Sequence, residues 1–297
     1  MKRFFAMALA AVLLVGSLAS CANHEADTDA IEDYAPKINY MIDQDGNKFT
    51  FEEGDGETAI LVKYEGKATR DDHVTIPAVF EVKDASGVVT TSRTVTTIGD
   101  AAFHNLAAVV SVDIPDSVTH IGDYAFASCT ELTAIKLPAG TVEIGKLAFS
   151  YCDKLATIEM GDELVSIQDF AFWGCTALTD VALPATLESI GNGAFYGCTA
   201  MKNVTIPASV TSIGDMAYGE CTGLEKIKLH DGIEDLGKFI FARTDEVGVK
   251  ALIDTTNLSQ DSKVWEYVQN IDVVATETEA DESTPAETDP AESTPVA

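Results

Sequence analysis

The sequence predicts an α/β-type solenoid: short parallel strands and short helical turns stacked coil on coil, behind a β-rich N-terminal cap. Three columns of residues predict it. Ile98, Ile121, Ile144, Ile167, Ile190 and Ile213 recur at a spacing of 23, and Leu236 continues them. Phe103, Phe126, Phe149, Phe172, Phe195, Tyr218 and Phe241 keep the same step. So do Cys129, Cys152, Cys175, Cys198 and Cys221, with Pro115, Pro138, Pro184 and Pro207 forming a weaker fourth column. A fixed period of this length marks repeat architecture, because one unit cannot bury its apolar face without stacked neighbours.

Composition narrows the class of partner. The 297 residues are 46% hydrophobic, enough to bury a core, and carry a net charge of −29 from 19 basic and 48 acidic residues. Phosphate backbones need Lys and Arg to neutralise them, so nucleic acid is excluded as a ligand. Anionic lipid head groups would be repelled as well.

The N-terminus reads as an export signal over residues 1–20. Met1-Lys2-Arg3 is a positive start, Phe4 to Val15 is apolar, and Leu18-Ala-Ser-Cys21 closes the segment. Those last four residues resemble the bacterial lipobox. The resemblance implies that Cys21 is the first mature residue and carries lipid, placing the protein outside the cytoplasm as a membrane-anchored lipoprotein at the cell surface. The alternative is an ordinary signal peptide with an incidental cysteine. Residues 21–36 are acidic and short of large apolar side chains, the composition of a tether.

Residues 37–94 are β-rich and out of repeat register. Ile38 to Ile42 and Lys48 to Phe51 flank Asp43-Gln-Asp-Gly-Asn47, a hairpin signal centred on Asp45-Gly46. Asp43, Asp45 and Asn47 also invite comparison with a calcium loop, but Lys48 and Gly54 stand where that loop wants Gly and Glu. Ala59 to Tyr64 is a further strand, Val74-Thr-Ile-Pro77 a first degenerate repeat element, and Val79 to Val95 a second hairpin turning near Ala85-Ser-Gly87. This region is expected to cover the open end of the solenoid.

Within each repeat of the 95–241 segment the periodicity changes. Ile135 and Leu137 point inward around an outward Lys136, the alternation of a strand, and Pro138 ends it. Val118-Thr-His-Ile121 is a second short extended piece. Gly122 is expected to turn the chain with positive φ. Asp123 is expected to cap a single helical turn whose inner face carries Ala125, Phe126 and Cys129.

The run Leu-Pro, Val-Thr-x-Ile-Gly-Asp-x-Ala-Phe-x-x-Cys-x-x-Leu resembles the 23-residue leucine-rich repeat of BspA-like bacterial surface proteins, from about Val95 to Phe241. Ile121, Phe126, Cys129, Leu132 and Ile135 are its structural core. Gly161 and His230 depart from the strand-ending proline, Gln168 from glycine, Met201 from leucine and Ile240 from alanine, while Thr141-Val-Glu-Ile144 shifts its apolar residue by one. The resemblance implies a leucine-rich repeat solenoid at the cell surface that binds other proteins, often as an adhesin, and no active site.

The residues themselves offer no catalytic constellation, metal set or cofactor motif. His24, His73, His104, His120 and His230 are scattered without metal-ligand spacing. The five repeat cysteines are expected to run as a buried column of thiols, since equivalent side chains point the same way; a partial disulfide is the other reading. Outward columns are where binding could be read. The strand face carries Asp113, Lys136, Glu159, Ala182, Thr205 and Lys228, either a self-paired solvated ladder or a polar docking surface. Tyr151, Trp173 and Tyr196 fall on three consecutive coils, either sealing the next coil or anchoring a partner. A protein partner is the leading expectation; a glycan-binding component and a purely structural envelope spacer are the alternatives. Residues 242–274 are expected to close the C-terminal end through a strand at Val249 to Ile253 and a helix over Ser262 to Val268. Residues 275–297, rich in Thr, Glu and Pro, have the composition of a disordered tail.

Overall fold

A computed structural model describes residues 39–66, 72–83, 88–242 and 253–270, all within the unit Lys37–Ala297. Cys21, the signal and tether, the turn at 85–87, the start of the strand at 249–252 and the tail at 275–297 lie outside the described residues.

The chain builds a β-solenoid of about six stacked turns. Its main wall is an 11-stranded sheet. Its repeat strands are two residues long: β8 (His120–Ile121), β10 (Glu143–Ile144), β12 (Ser166–Ile167), β13 (Ser189–Ile190), β15 (Ser212–Ile213) and β17 (Asp235–Leu236). They pair in parallel with Ile opposite Ile, continued by Leu236. One residue of each pair faces in and one out, so the isoleucine column lies at 0–2% exposure from Ile98 to Ile213.

The N-terminal strands join the same wall. β1 (Asn39–Ile42) and β2 (Lys48–Glu53) form the expected hairpin, with Ile42 opposite Lys48. Asp43 Oδ1 accepts the amides of Asp45 and Asn47, which commits that carboxylate to the turn. β3 (Thr58–Glu65) pairs antiparallel with β2 and parallel with β6 (Val89–Ile98). β5 (Val79–Lys83) pairs antiparallel with β6 as the second hairpin. β4 (Asp72–Thr75) pairs in parallel with β7 (Val109–Asp113), so Val74-Thr-Ile-Pro77 does act as a first repeat strand.

The opposite wall is broken. β9 (Ala134–Lys136) pairs β11 (Thr157–Glu159), and β14 (Asn203–Thr205) pairs β16 (Lys226–Lys228), which pairs β18 (Ile253–Asp254); residues 180–183 between them form no strand. Asp180 supplies the reason. Elsewhere in this column an amide reaches the previous coil's carbonyl, as Ala156 N reaches Thr133 O and Thr179 N reaches Ala156 O. At the next step the Asp180 carboxylate takes the amides of Lys202 and Asn203 instead, at 3.3 and 2.8 Å.

The third wall corrects the expected helical turns. Residues 123–128 are turns, not helix. Their amides alternate: Tyr124, Phe126 and Ser128 donate forward to Lys146, Ala148 and Ser150 of the next coil, while Ala125, Ala127 and Cys129 donate back within the turn. Two left-handed residues per coil make this possible. One column is Ala101, Tyr124, Leu147, Phe170, Gly193, Met216 and Phe239; the other is Asn105, Ser128, Tyr151, Gly174, Gly197 and Glu220, with φ from 53° to 74°. A residue in that region every fourth position prevents an α-helical run. Among the described residues the one helix, α1, is short and spans 263–270, with Ser262 Oγ accepting the Trp265 amide. Val264 and Val268 are fully buried, and the Tyr267 hydroxyl accepts the Ile240 amide at 3.2 Å.

Two further expectations change. Gly122 does not adopt positive φ. It is glycine because a Cβ would stand 2.7 Å from Gly99 C and 2.6 Å from Asp100 Oδ1 of the previous coil. Gln168 occupies the same column, and its amide reaches Ile144 O at 3.0 Å, against 2.7 Å for Gly122 and 2.8 Å for Gly145 and Gly191. Asp123 is not a helix cap either. Its Oδ1 accepts the Lys146 amide, as Asp100 serves Asp123, Asp169 serves Asn192, Asn192 serves Asp215 and Asp215 serves Lys238, at 2.7–2.9 Å. This is a side-chain ladder between coils, interrupted where Lys146 offers no acceptor. In the segment whose apolar residue is displaced by one, Thr141 takes the inward place of Val118 and Leu164, fully buried with its hydroxyl unpartnered.

Candidate functional site

Along the solenoid axis the aromatic column forms a continuous stack. Phe103, Phe126, Phe149, Phe172, Phe195, Tyr218 and Phe241 lie ring on ring with centroids 4.9–5.9 Å apart, and Tyr64 from β3 adds a ring 5.1 Å from Phe103. Tyr218 buries its hydroxyl in this stack without a partner. Beside the rings, each repeat cysteine donates its thiol to a Phe carbonyl 26 residues earlier: Cys129 to Phe103, Cys152 to Phe126, Cys175 to Phe149, Cys198 to Phe172 and Cys221 to Phe195, at 3.0–3.3 Å. All five are free thiols. Burial pushes Cys129, Cys175 and Cys221 up to about 12, and it also raises Cys152 and Cys198. A thiol held so far from ionisation is a poor nucleophile and a poor metal ligand. With Ile121, Leu132 and Ile135 also buried, these columns are wall.

On the strand face the proposed columns are divided among separate sheets. Lys136 and Glu159 form an ion pair at 3.3 Å with both side chains more than two-thirds exposed, the kind of contact worth about 0–1 kcal/mol. Lys228 lies on β16 and Thr205 on β14, while Ala182 falls in the break made by Asp180. Asp113 has a partner that the sequence reading missed. His73 Nδ1 meets Ser111 Oγ at 2.7 Å and His73 Nε2 meets Asp113 Oδ2 at 3.0 Å, across the β4–β7 pair. The trio has the order of a nucleophile, base and carboxylate. His73 is 52% and Asp113 67% exposed, however, so the water-free setting in which such groups gain catalytic power is missing. It works as a polar clasp between neighbouring strands. The only sequence signal for it was the register of the degenerate repeat at Val74. Among the described residues no group of three His, Cys, Asp or Glu could hold a metal, and no helix is long and apolar enough to cross a membrane.

The turn wall brings the aromatic candidates together. Tyr151 and Trp173 lie with ring centroids 4.9 Å apart, and Phe170, which the sequence reading did not single out, lies 5.7 Å from Trp173. Tyr196 is on the next coil, its ring over Gly219. Tyr151 likewise lies over Gly174 at the left-handed position of the next coil, and Phe170 over Gly193. Sealing is therefore part of what these rings do. Yet Tyr124, Tyr151, Phe170 and Met216 stay 37–44% exposed, and all four occupy left-handed positions. Left-handed backbone at a turn throws the side chain outward, which gathers the exposed large apolar residues of the repeats on this one wall.

Stacked parallel strands, an axial phenylalanine ladder and a 23-residue step define a bacterial-type leucine-rich repeat solenoid. The chain belongs to the BspA type leucine rich repeat family: six copies of that repeat region match over residues 79–198 and 142–271. Among solved structures it is similar to a leucine-rich repeat protein from Bacteroides ovatus, at 27% identity and a TM-score of 0.52, covering 70% of this chain and 57% of that one. It thus spans little more than half of that protein's length. The T. pallidum leucine-rich repeat protein matches at 23% identity and a TM-score of 0.46, covering 75% of this chain and 78% of that one. No curated protein matches the chain.

Proposed function

We propose that this chain is a lipid-anchored module outside the cytoplasm, at the cell surface, that binds a protein partner in the manner of an adhesin. The observation that carries the reading is the Tyr151–Trp173–Phe170 cluster, with Tyr151 and Phe170 exposed and Trp173 half-buried, on a wall whose backbone is bonded forward into the next coil at every second amide. Rigid, part-exposed aromatics gain contact area with little entropy loss, which is why they dominate protein interfaces. The Asp113, Lys136, Glu159 and Lys228 columns are the weaker candidates, because Asp113 and the Lys136–Glu159 pair already have partners within the chain. The strands β1–β3 and helix α1 cap the two ends of the coil stack, and lipid on Cys21 holds the module at the membrane.

Capture of partners by the full chain, repeated with Tyr151→Ala/Trp173→Ala, tests the docking wall. The double variant should keep the solenoid fold by circular dichroism, with a lower melting temperature from the lost cover over Gly174, and lose its specific partner. Retention of that partner, or capture of glycans in its place, would overturn the reading. Labelled palmitate should enter the chain and not its Cys21→Ala variant; equal labelling of both would remove the anchor.

A further inference from the structure

From Asp123 to Asp215 the turn wall alternates coil by coil in both charge and apolar bulk. Each left-handed residue of the first column directly follows the position that carries the inter-coil side-chain ladder. Asp123 precedes Tyr124, Asp169 precedes Phe170 and Asp215 precedes Met216, and these three apolar residues are the exposed ones. On the coils between, the pairs are Lys146-Leu147 and Asn192-Gly193, where the acid and the exposed bulky side chain are both missing. A carboxylate beside an exposed apolar surface therefore recurs every second coil. Stacked rings advance 5.2 and 5.3 Å per coil here. Two coils make ~10 Å, the rise of three residues in an extended chain.

We infer that this wall takes a cationic protein segment, an extended stretch with Lys or Arg at about every third residue, lying along the solenoid axis. The proposal rests on the protein-docking reading above and specifies its partner. Each ammonium or guanidinium would meet one aspartate, with the ring of Tyr124 or Phe170 beside the first two, where the negative ring face favours a cation, and the Met216 thioether beside the third. The ladder leaves the aspartates able to do this, because the next coil's amide occupies Oδ1 of each and not Oδ2. Lys146 approaches Asp169 Oδ2 only at 4.0 Å, with both side chains a third or more exposed. A chain of net charge −29 adds long-range attraction for a basic partner and repulsion for an acidic one.

Isothermal titration of the full chain with the peptides (Lys-Ser-Thr)5 and (Glu-Ser-Thr)5 at low salt tests this. Asn192 shows that asparagine keeps the ladder, since its Oδ1 accepts the Asp215 amide at 2.8 Å. Asp123→Asn/Asp169→Asn/Asp215→Asn thus removes charge from this wall without removing its acceptors. The basic peptide should bind and the acidic one should not, and the triple variant should weaken binding on the order of tenfold. Glu163→Gln/Glu188→Gln/Glu234→Gln changes net charge equally at exposed positions outside the aspartate column, and should leave affinity within about twofold. Equal weakening by both triples would mean diffuse attraction and overturn the proposal, as would an absence of basic-peptide binding or equal binding of the acidic peptide. Those failures leave partner capture through Tyr151 and Trp173 standing, so a wrong partner class is distinguishable from a wrong docking wall.

Discussion

Raising the pH from 8 to 10 should weaken the coil stack through its buried thiols, by an amount that follows from the structure. Each repeat cysteine is buried at 0% exposure with its Sγ on a Phe carbonyl, and an ordinary thiol ionises near 9.0. Burial pushes Cys129, Cys175 and Cys221 up to about 12. The unfolded chain therefore loses these protons first. The contribution to stability is whole below pH 9 and is lost as pH rises towards 12. At pH 10 the unfolded state gains RT ln(1 + 10), about 1.4 kcal/mol per thiol that stays protonated in the fold. The size depends on the unfolded thiol alone once the folded one titrates well above 10. For the three thiols near 12 the total is about 4 kcal/mol. The assay is urea unfolding at pH 8 and pH 10 on the native chain and on Cys175→Ala. Tyrosine and lysine titration is common to both proteins, so the variant should lose about 1.4 kcal/mol less than the native chain over that interval. Equal losses would refute the argument that the Cys175 thiol stays protonated in a dry wall.

Two further expectations concern backbone and core. Gly197→Ala should cost about 1 kcal/mol from φ alone, since a Cβ there has its nearest neighbours at 3.7 Å; thermal melts check it. Tyr218→Phe and Thr141→Val each remove a buried, unpartnered hydroxyl and should stabilise by about 1–2 kcal/mol in denaturant titrations, with loss of stability in both refuting the assignment.

The columns that pack inward were legible because stacking asks the same question of every coil. Ile121, Phe126, Cys129, Leu132 and Ile135 face the same neighbours one period away, and selection for one apolar contact shows as one repeated letter. Positions that act between coils were read wrongly because local rules gave a plausible answer. Gly122 looked like a turn residue and Asp123 like a cap, yet both are set by the backbone 23 residues earlier or later. At Thr141 the apolar residue is displaced by one in the sequence, and the continuous strand ladder holds register, so the polar side chain takes the inward place and its hydroxyl is buried. Of the candidate site, Tyr151 and Trp173 were visible as aromatics in an outward column. Phe170 was not, because its position lies beside the ladder aspartate and shows its exposure only once φ is known.

Sequence by itself determined the period, the inward columns and hence a solenoid of stacked strands, since burying a repeated apolar stripe has no other economical solution. Tertiary structure decided what each turn does with its polar groups. Amides at Tyr124, Phe126 and Ser128 reach forward to the next coil, and Tyr124 and Ser128 themselves take the left-handed geometry that sends large side chains outward. That outcome depends on partners a full period away, which no local propensity contains.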